Sequence, residues 1–129
     1  MVRVFVYGTL GPGQAHYQDY CADRVQWVQP AYTYGQLYAL PVGYPALTQG
    51  RDRVWGHLLT FPDAAILAQL DDLEDFEPDR PPEQNEYERC SVPVYDPMGR
   101  SLGQAWAYLM RLPWIKAAGG QYRARGCWP

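Results

Sequence analysis

Between Pro62 and Phe76 lies the one stretch of this chain whose apolar residues recur at helical spacing, and this limits what the rest can fold into. Ile66, Leu67, Leu70 and Leu73 make one stripe, Pro62 suits a first helical turn, and Thr60 with Asp63 resembles a capping box with Asp in place of Glu. Without a second long helix, strands must carry the fold. The composition suits that: 15% of the residues are aromatic, and 12 Gly and 12 Pro supply tight turns.

Strands are expected at Val2–Tyr7, Tyr34–Leu40, Val54–Thr60, Tyr87–Tyr95 and Gly103–Met110, each rich in β-branched or aromatic residues. Pro93 marks its strand as an edge or bulged one. Thr9–Gly13 is expected as a loop, His16–Cys21 as a short helical turn, PVGYPALTQG as a turn-rich separator, and the last ~20 residues as irregular. Five or six short strands with one real helix predict an α+β domain: a small mixed β-barrel with one main helix packed on it and short helical turns. At 129 residues one domain over residues 1–129 is expected, with no internal repeat or linker.

Several function classes recede. A net charge of −3 offers nucleic acid no basic surface, and Arg123 with Arg125 read as solvated tail residues. No apolar run approaches the roughly 20 residues of a membrane span. The opening MVRVFVYG reads directly as a strand with no separate targeting segment, so the cytoplasm is the default location. Cys21, Cys90 and Cys127 form no disulfide pattern, and with only His16 and His57 no zinc-type ligand set is evident. Cys21 reads as a free buried thiol, His57 as a satisfied sheet residue, and Trp27, Trp55 and Trp106 as fillers of the barrel core.

The segment QLDDLEDFE (Gln69–Glu77) holds five acids, and a helical wheel sorts them. With Ile66 at zero and about 100° per residue, Leu67, Leu70 and Leu73 fall within one sector, and Glu74 falls near 80°, between Leu67 and Leu70. Asp71, Asp72 and Asp75 lie at the edge of the stripe or behind it. Only Glu74 of the helical acids faces the core. Burial raises a carboxyl from its free value of about 4.3, toward the range where it can both accept and return a proton near neutrality. The bland alternatives are a pair with a residue such as Arg89, or a helix that ends early and leaves Glu74 in solvent.

A second feature is Tyr7-Gly8-Thr9-Leu10-Gly11-Pro12-Gly13. A strand ending in a Gly-rich turn can aim several N–H groups at one point and cradle an anion or oxyanion. It lacks the Gly-Lys-Ser/Thr of a phosphate loop, and no G-x-G-x-x-G follows the strand.

Taken in order, the strand ending in YGTL, then Gly43-Tyr44-Pro45-Ala46-Leu47, LDDLEDF, and Tyr87-Glu88-Arg89 resemble the γ-glutamylcyclotransferase-like family, in its small AIG2-like and BtrG-like branch. The similarity runs from about Val4 to Met110. It implies a compact mixed barrel with a single cavity. It further implies that Tyr7, Gly8, Thr9 and Leu10 bind the γ-glutamyl group through backbone amides, and that Glu74 is the essential acid. Tyr44, Pro45, Tyr87, Arg89 and Tyr108 would line or support the substrate site. The implied reaction is an intramolecular transferase-type cyclisation. The α-amine of a γ-glutamyl amine or amino acid attacks its own γ-carbonyl, giving 5-oxoproline and the free amine, with Glu74 as general base and acid and no metal or organic cofactor. The partner is then a small γ-glutamyl substrate, with neither nucleic acid nor membrane involved.

Three departures from the family pattern bear on the site. Asp75 stands where the family often has Gly, His16 stands near a common Asn, and EPDRPPEQNE (Glu77–Glu86) resembles an insertion able to cover or reshape the pocket. The alternative functional readings are a non-catalytic binding module for a small acidic metabolite and an interaction protein with an aromatic-rich surface.

Overall fold

The computed structural model describes residues 1–8, 14 and 16–128. The elements in order are β1 (Val2–Val6), α1 (Tyr17–Tyr20), β2 (Trp27–Ala39), β3 (Pro45–Phe61), α2 (Ala65–Leu73), β4 (Glu88–Tyr95), β5 (Ser101–Leu109), α3 (Leu112–Ala117) and β6 (Gln121–Arg123), with a 3-10 turn at Pro82–Gln84. Five strands close into a mixed barrel. β1 runs antiparallel to β3, β3 to β2, and β4 to β5; β2 meets β4 at Tyr32 and Tyr95, and β5 lies parallel to β1 where Trp106 meets Val4. The short β6 pairs with β2 outside this ring. Closure leaves little unpaired edge, which suits a chain made mostly of strands.

The β2–β3 hairpin is longer than its local chemistry predicts. Pairing runs from Trp27–Thr60 to Ala39–Pro45, with an irregularity at Gly35/Gln36. The separator expected at PVGYPALTQG is therefore mostly strand, and Gly43, at φ +99°, sits in the short turn before it. Burial outweighs the Gly and Pro signals here, because Ala46, Leu47 and Thr48 are all buried. Pro45 opens its strand, a position where a missing N–H is tolerated.

Alternation along β1 separates two apolar clusters. Val4 and Val6 pack with Leu59, Phe61 and Tyr108 against Ile66, Leu67 and Leu70 of α2. Phe5 instead packs with Ala31, Leu58, Val94, Ala105 and Ala107. Each of the three buried α2 side chains contributes about 2 kcal/mol of apolar burial, which secures the helix to the barrel wall.

Other expectations need correction. Helix α2 starts at Ala65 rather than Pro62; Thr60 belongs to β3, and the Ala65 N–H donates to Asp63 Oδ1 at 2.9 Å in place of a capping box. The last ~20 residues are irregular only in part, since α3 and β6 lie among them. Leu112 and Ile115 place a short apolar face on α3, and Ile115 is fully buried against Leu40, Ala46 and Met110. Trp27 is 61% exposed, so it fills no core, and Trp55 and Trp106 are only half-buried. Pro93 does mark an irregular strand, since the β4–β5 register shifts between Val94 and Tyr95. Among the described residues, no helix is long and apolar enough to cross a membrane.

Candidate active site

Helix α2 ends in a way that aims Glu74. The Phe76 N–H donates to the Asp71 carbonyl at 2.8 Å and the Asp75 N–H to the Asp72 carbonyl at 3.2 Å, the paired bonds of a Schellman turn. Such a turn needs a left-handed residue, and Asp75 supplies it at φ +53°. Glycine takes that conformation without a side-chain penalty, which accounts physically for the family's frequent Gly at this point. Glu74 itself is the C-cap, at φ −89° and ψ 4°, close enough to helical for its side chain to stay on the buried stripe. The helix stops at Leu73, yet Glu74 does not turn out into solvent.

It lines a cavity of about 200 Å³. The end of β1 contributes Phe5, Val6, Tyr7 and Gly8, and the start of β3 contributes Tyr44 and Pro45. Leu73, Glu74 and Asp75 close the α2 side, Glu86 and Tyr87 come from the segment before β4, Tyr108 from β5, and His16 from before α1. Seven of the residues singled out from the sequence thus meet at one cavity: Tyr7, Gly8, Tyr44, Pro45, Glu74, Tyr87 and Tyr108. Thr9 and Leu10, with the rest of the expected Thr9–Gly13 loop, lie outside the described residues. Gly8 fits because a Cβ there would stand 2.6 Å from Pro45 Cγ.

Arg89 stands behind the cavity rather than on its wall. Its Nε lies 3.5 Å from Asp71 Oδ1, and its guanidinium sits 4.9 Å from the centre of the Trp106 ring and 5.9 Å from that of Phe76. Its partner is Asp71, not Glu74, and among the described residues the Glu74 carboxylate makes no ion pair. Asp71 also accepts a hydrogen bond from the Tyr108 hydroxyl at 2.6 Å. Helical spacing gave Asp71 no role. The signal that finds it is the β4–β5 register, which sets Arg89 directly across from Tyr108.

The three tyrosines are held as donors. The Tyr87 hydroxyl donates to the Pro45 carbonyl at 2.8 Å, and the Tyr7 hydroxyl donates to the Tyr108 carbonyl while accepting from the Leu47 N–H at 3.4 Å. Burial, aided by nearby groups that include Glu74, pushes all three phenols above their ordinary range, so they stay neutral. Glu74 shifts the same way for the same reason. Burial, and then the Glu86 carboxylate, push it from 4.5 up to about 7. A carboxyl at that value is part protonated and part ionised at neutral pH, as proton shuttling requires.

Beyond Tyr7 and Gly8 lies a second cavity of about 220 Å³, bordered by Trp55, His57, Cys127 and Trp128. His57 is half-buried there, and burial lowers its basicity. Cys21 is a free buried thiol pushed up to about 11 by burial, while Cys127 is exposed. Among the described residues, no group of three or more His, Cys, Asp and Glu side chains is gathered to hold a metal ion.

A closed mixed barrel with a helix-end carboxylate beside a Tyr-Gly turn defines a recognisable class, and comparison with known proteins agrees. A family model described as gamma-glutamyl cyclotransferase, AIG2-like, matches residues 4–129. An AIG2-like protein from Mus musculus superposes with a TM-score of 0.70 at 21% identity, over 100% of this chain and 88% of that one. YkqA from Bacillus subtilis gives 0.67 at 20% identity, over 98% of this chain and 39% of its own. The protein ytfP from Escherichia coli gives 0.59 at 28% identity, over 98% and 96%. No curated protein matches the sequence significantly. The first two likenesses speak to the fold alone. The chain belongs to the AIG2-like gamma-glutamyl cyclotransferase family; the match draws no narrower BtrG-like branch.

Proposed function

We propose that the protein cyclises the γ-glutamyl group of a γ-glutamyl amine or amino acid to 5-oxoproline, releasing the amine, with Glu74 as the proton carrier. The observation that carries this reading is the Glu74 carboxyl, raised to about 7 and in no ion pair among the described residues, in the same cavity as Tyr7 and Gly8. The reaction's proton balance calls for such a group. The substrate's α-ammonium holds three protons; one remains on the lactam nitrogen, and two must finish on the departing nitrogen for it to leave as an ammonium. Ionised Glu74 removes the first and frees the lone pair that attacks the γ-carbonyl. The new C–N bond forms as the carbonyl oxygen becomes an oxyanion. Glu74 then delivers that proton to the leaving nitrogen as the old C–N bond breaks, takes the last one from the ring nitrogen, and passes it to the departing amine, which leaves as an ammonium with Glu74 ionised again.

The main chain at Gly8, which borders the cavity, is suited to receive the substrate's carboxylate or the oxyanion. The neutral phenols of Tyr7, Tyr87 and Tyr108 fix the walls without adding charge. Nucleophile and electrophile belong to one molecule, so the protein's task is to hold a folded substrate conformer and move protons.

The test is to incubate the protein with a panel of γ-glutamyl amines in oxygen-18 water. Cyclisation predicts 5-oxoproline and amine in equal amounts, with no label in the product. Labelled glutamate would mean hydrolysis, and binding without any product would mean a metabolite-binding module; either refutes the proposal.

A further inference from the structure

The segment Glu77–Glu86 is built as a wall with one functional end. Its centre is Asn85, only 2% exposed. The Asn85 Oδ1 accepts from Arg80 Nε at 2.9 Å, from Arg80 Nη2 at 2.6 Å and from the Glu77 N–H at 3.1 Å, while its Nδ2 donates to the Glu77 carbonyl at 3.2 Å. One side chain thereby ties the two ends of the excursion together. The residue fixed by this latch is Glu86, whose carboxylate is exposed yet borders the cavity that holds Glu74.

The charges around that cavity are one-sided. Glu74, Asp75 and Glu86 border it, no Lys or Arg does, and His16 is the one described lining side chain able to carry positive charge. The residues at 9–13 and 15 hold no ionisable side chain that could alter this. Glu74 belongs to the proton transfers, and the Asp75 carboxylate lies 3.6 Å from Arg80 Nη2. Glu86 alone is free to face the group attached to the substrate nitrogen.

We propose that Glu86 is a specificity-determining residue that selects γ-glutamyl amides whose departing amine bears a second, positively charged group, and that disfavours those bearing a carboxylate. This rests on the proposed cyclisation. The glutamyl carboxylate of every such substrate is the same, so discrimination arises only in the departing part, at the cavity mouth where Glu86 stands. An unlike charge pair about 4 Å apart in a water-like setting gains about fivefold in binding, and a like pair loses as much, so the two substrate types separate by about 25-fold.

The test uses three substrates of matched length: the γ-glutamyl amides of diaminobutane, pentylamine and aminopentanoate, which end in an ammonium, a methyl and a carboxylate. Ratios of kcat/KM within one enzyme cancel any change in Glu74. Wild type should rank the ammonium first and the carboxylate last, by about 25-fold in total. Glu86→Gln should shrink that ratio at least fivefold, Glu86→Lys should reverse its order, and high salt should flatten it in wild type. Turnover with ratios that neither substitution alters overturns the inference and leaves the cyclisation standing. Turnover of none of the three by wild type overturns the cyclisation, and the inference with it.

Discussion

Replacing Glu74 by Gln keeps the shape of the side chain and removes its titration, so it isolates the energetic consequence of placing a carboxyl in the cavity. The folded carboxyl ionises at about 7 against an ordinary 4.5. Between those values the folded chain retains a proton that the unfolded chain has released. A group raised in this way favours the folded state below its unfolded value, and that stability is lost as pH rises through the folded value. Each pH unit of separation corresponds to about 1.4 kcal/mol, which gives a ceiling of about 3 kcal/mol; water reaching the cavity mouth screens part of it and leaves about 2 kcal/mol. The amide of the variant is neutral throughout, so wild type should lose about 2 kcal/mol relative to it between about pH 5 and about pH 8. Urea unfolding followed by the fluorescence of the 5 tryptophans measures this directly. An advantage for Glu74→Gln that stays constant to within about 0.5 kcal/mol across that range would mean that the carboxyl is not held away from water, and the reasoning would fail.

Three further outcomes follow from the geometry. Asp75→Gly should raise stability by about 0.5–1 kcal/mol in the same unfolding assay, because the residue sits at φ +53° and its contact with Arg80 is an exposed 3.6 Å pair of little weight. Asp71→Ala should cost about 2–4 kcal/mol, since it leaves the Arg89 guanidinium and the Tyr108 hydroxyl without their shared acceptor; urea midpoints check it. Gly8→Ala should force Pro45 out of place at the cavity wall and lower kcat/KM about tenfold or more, with the folded state retained by circular dichroism.

The parts of this molecule that can be read from its sequence are those set by local periodicity. β-Branched and aromatic runs locate the strands, and the wheel puts Glu74 on the buried stripe, because its C-cap backbone stays nearly helical. What escapes is non-local. Asp71 lies near the edge of the stripe, and its role emerges once the β4–β5 pairing brings Arg89 and Tyr108 beside it. Glu86 comes to the cavity because a buried asparagine closes the excursion from Glu77, a contact that no spacing rule anticipates. The hairpin at Pro45–Gly50 runs against its own turn chemistry because burial of Ala46 and Leu47 outweighs it. Trp27 errs in the opposite direction: a large aromatic ring that β2 leaves in solvent.

The most direct test of Glu74 as proton carrier is the rate of 5-oxoproline formation by wild type and Glu74→Gln on the best γ-glutamyl amine, with substrate binding measured separately. General acid–base catalysis predicts a fall in kcat of about 10²–10⁴-fold while affinity stays within a few-fold. A Glu74→Gln enzyme that forms the lactam at close to the wild-type rate would contradict it.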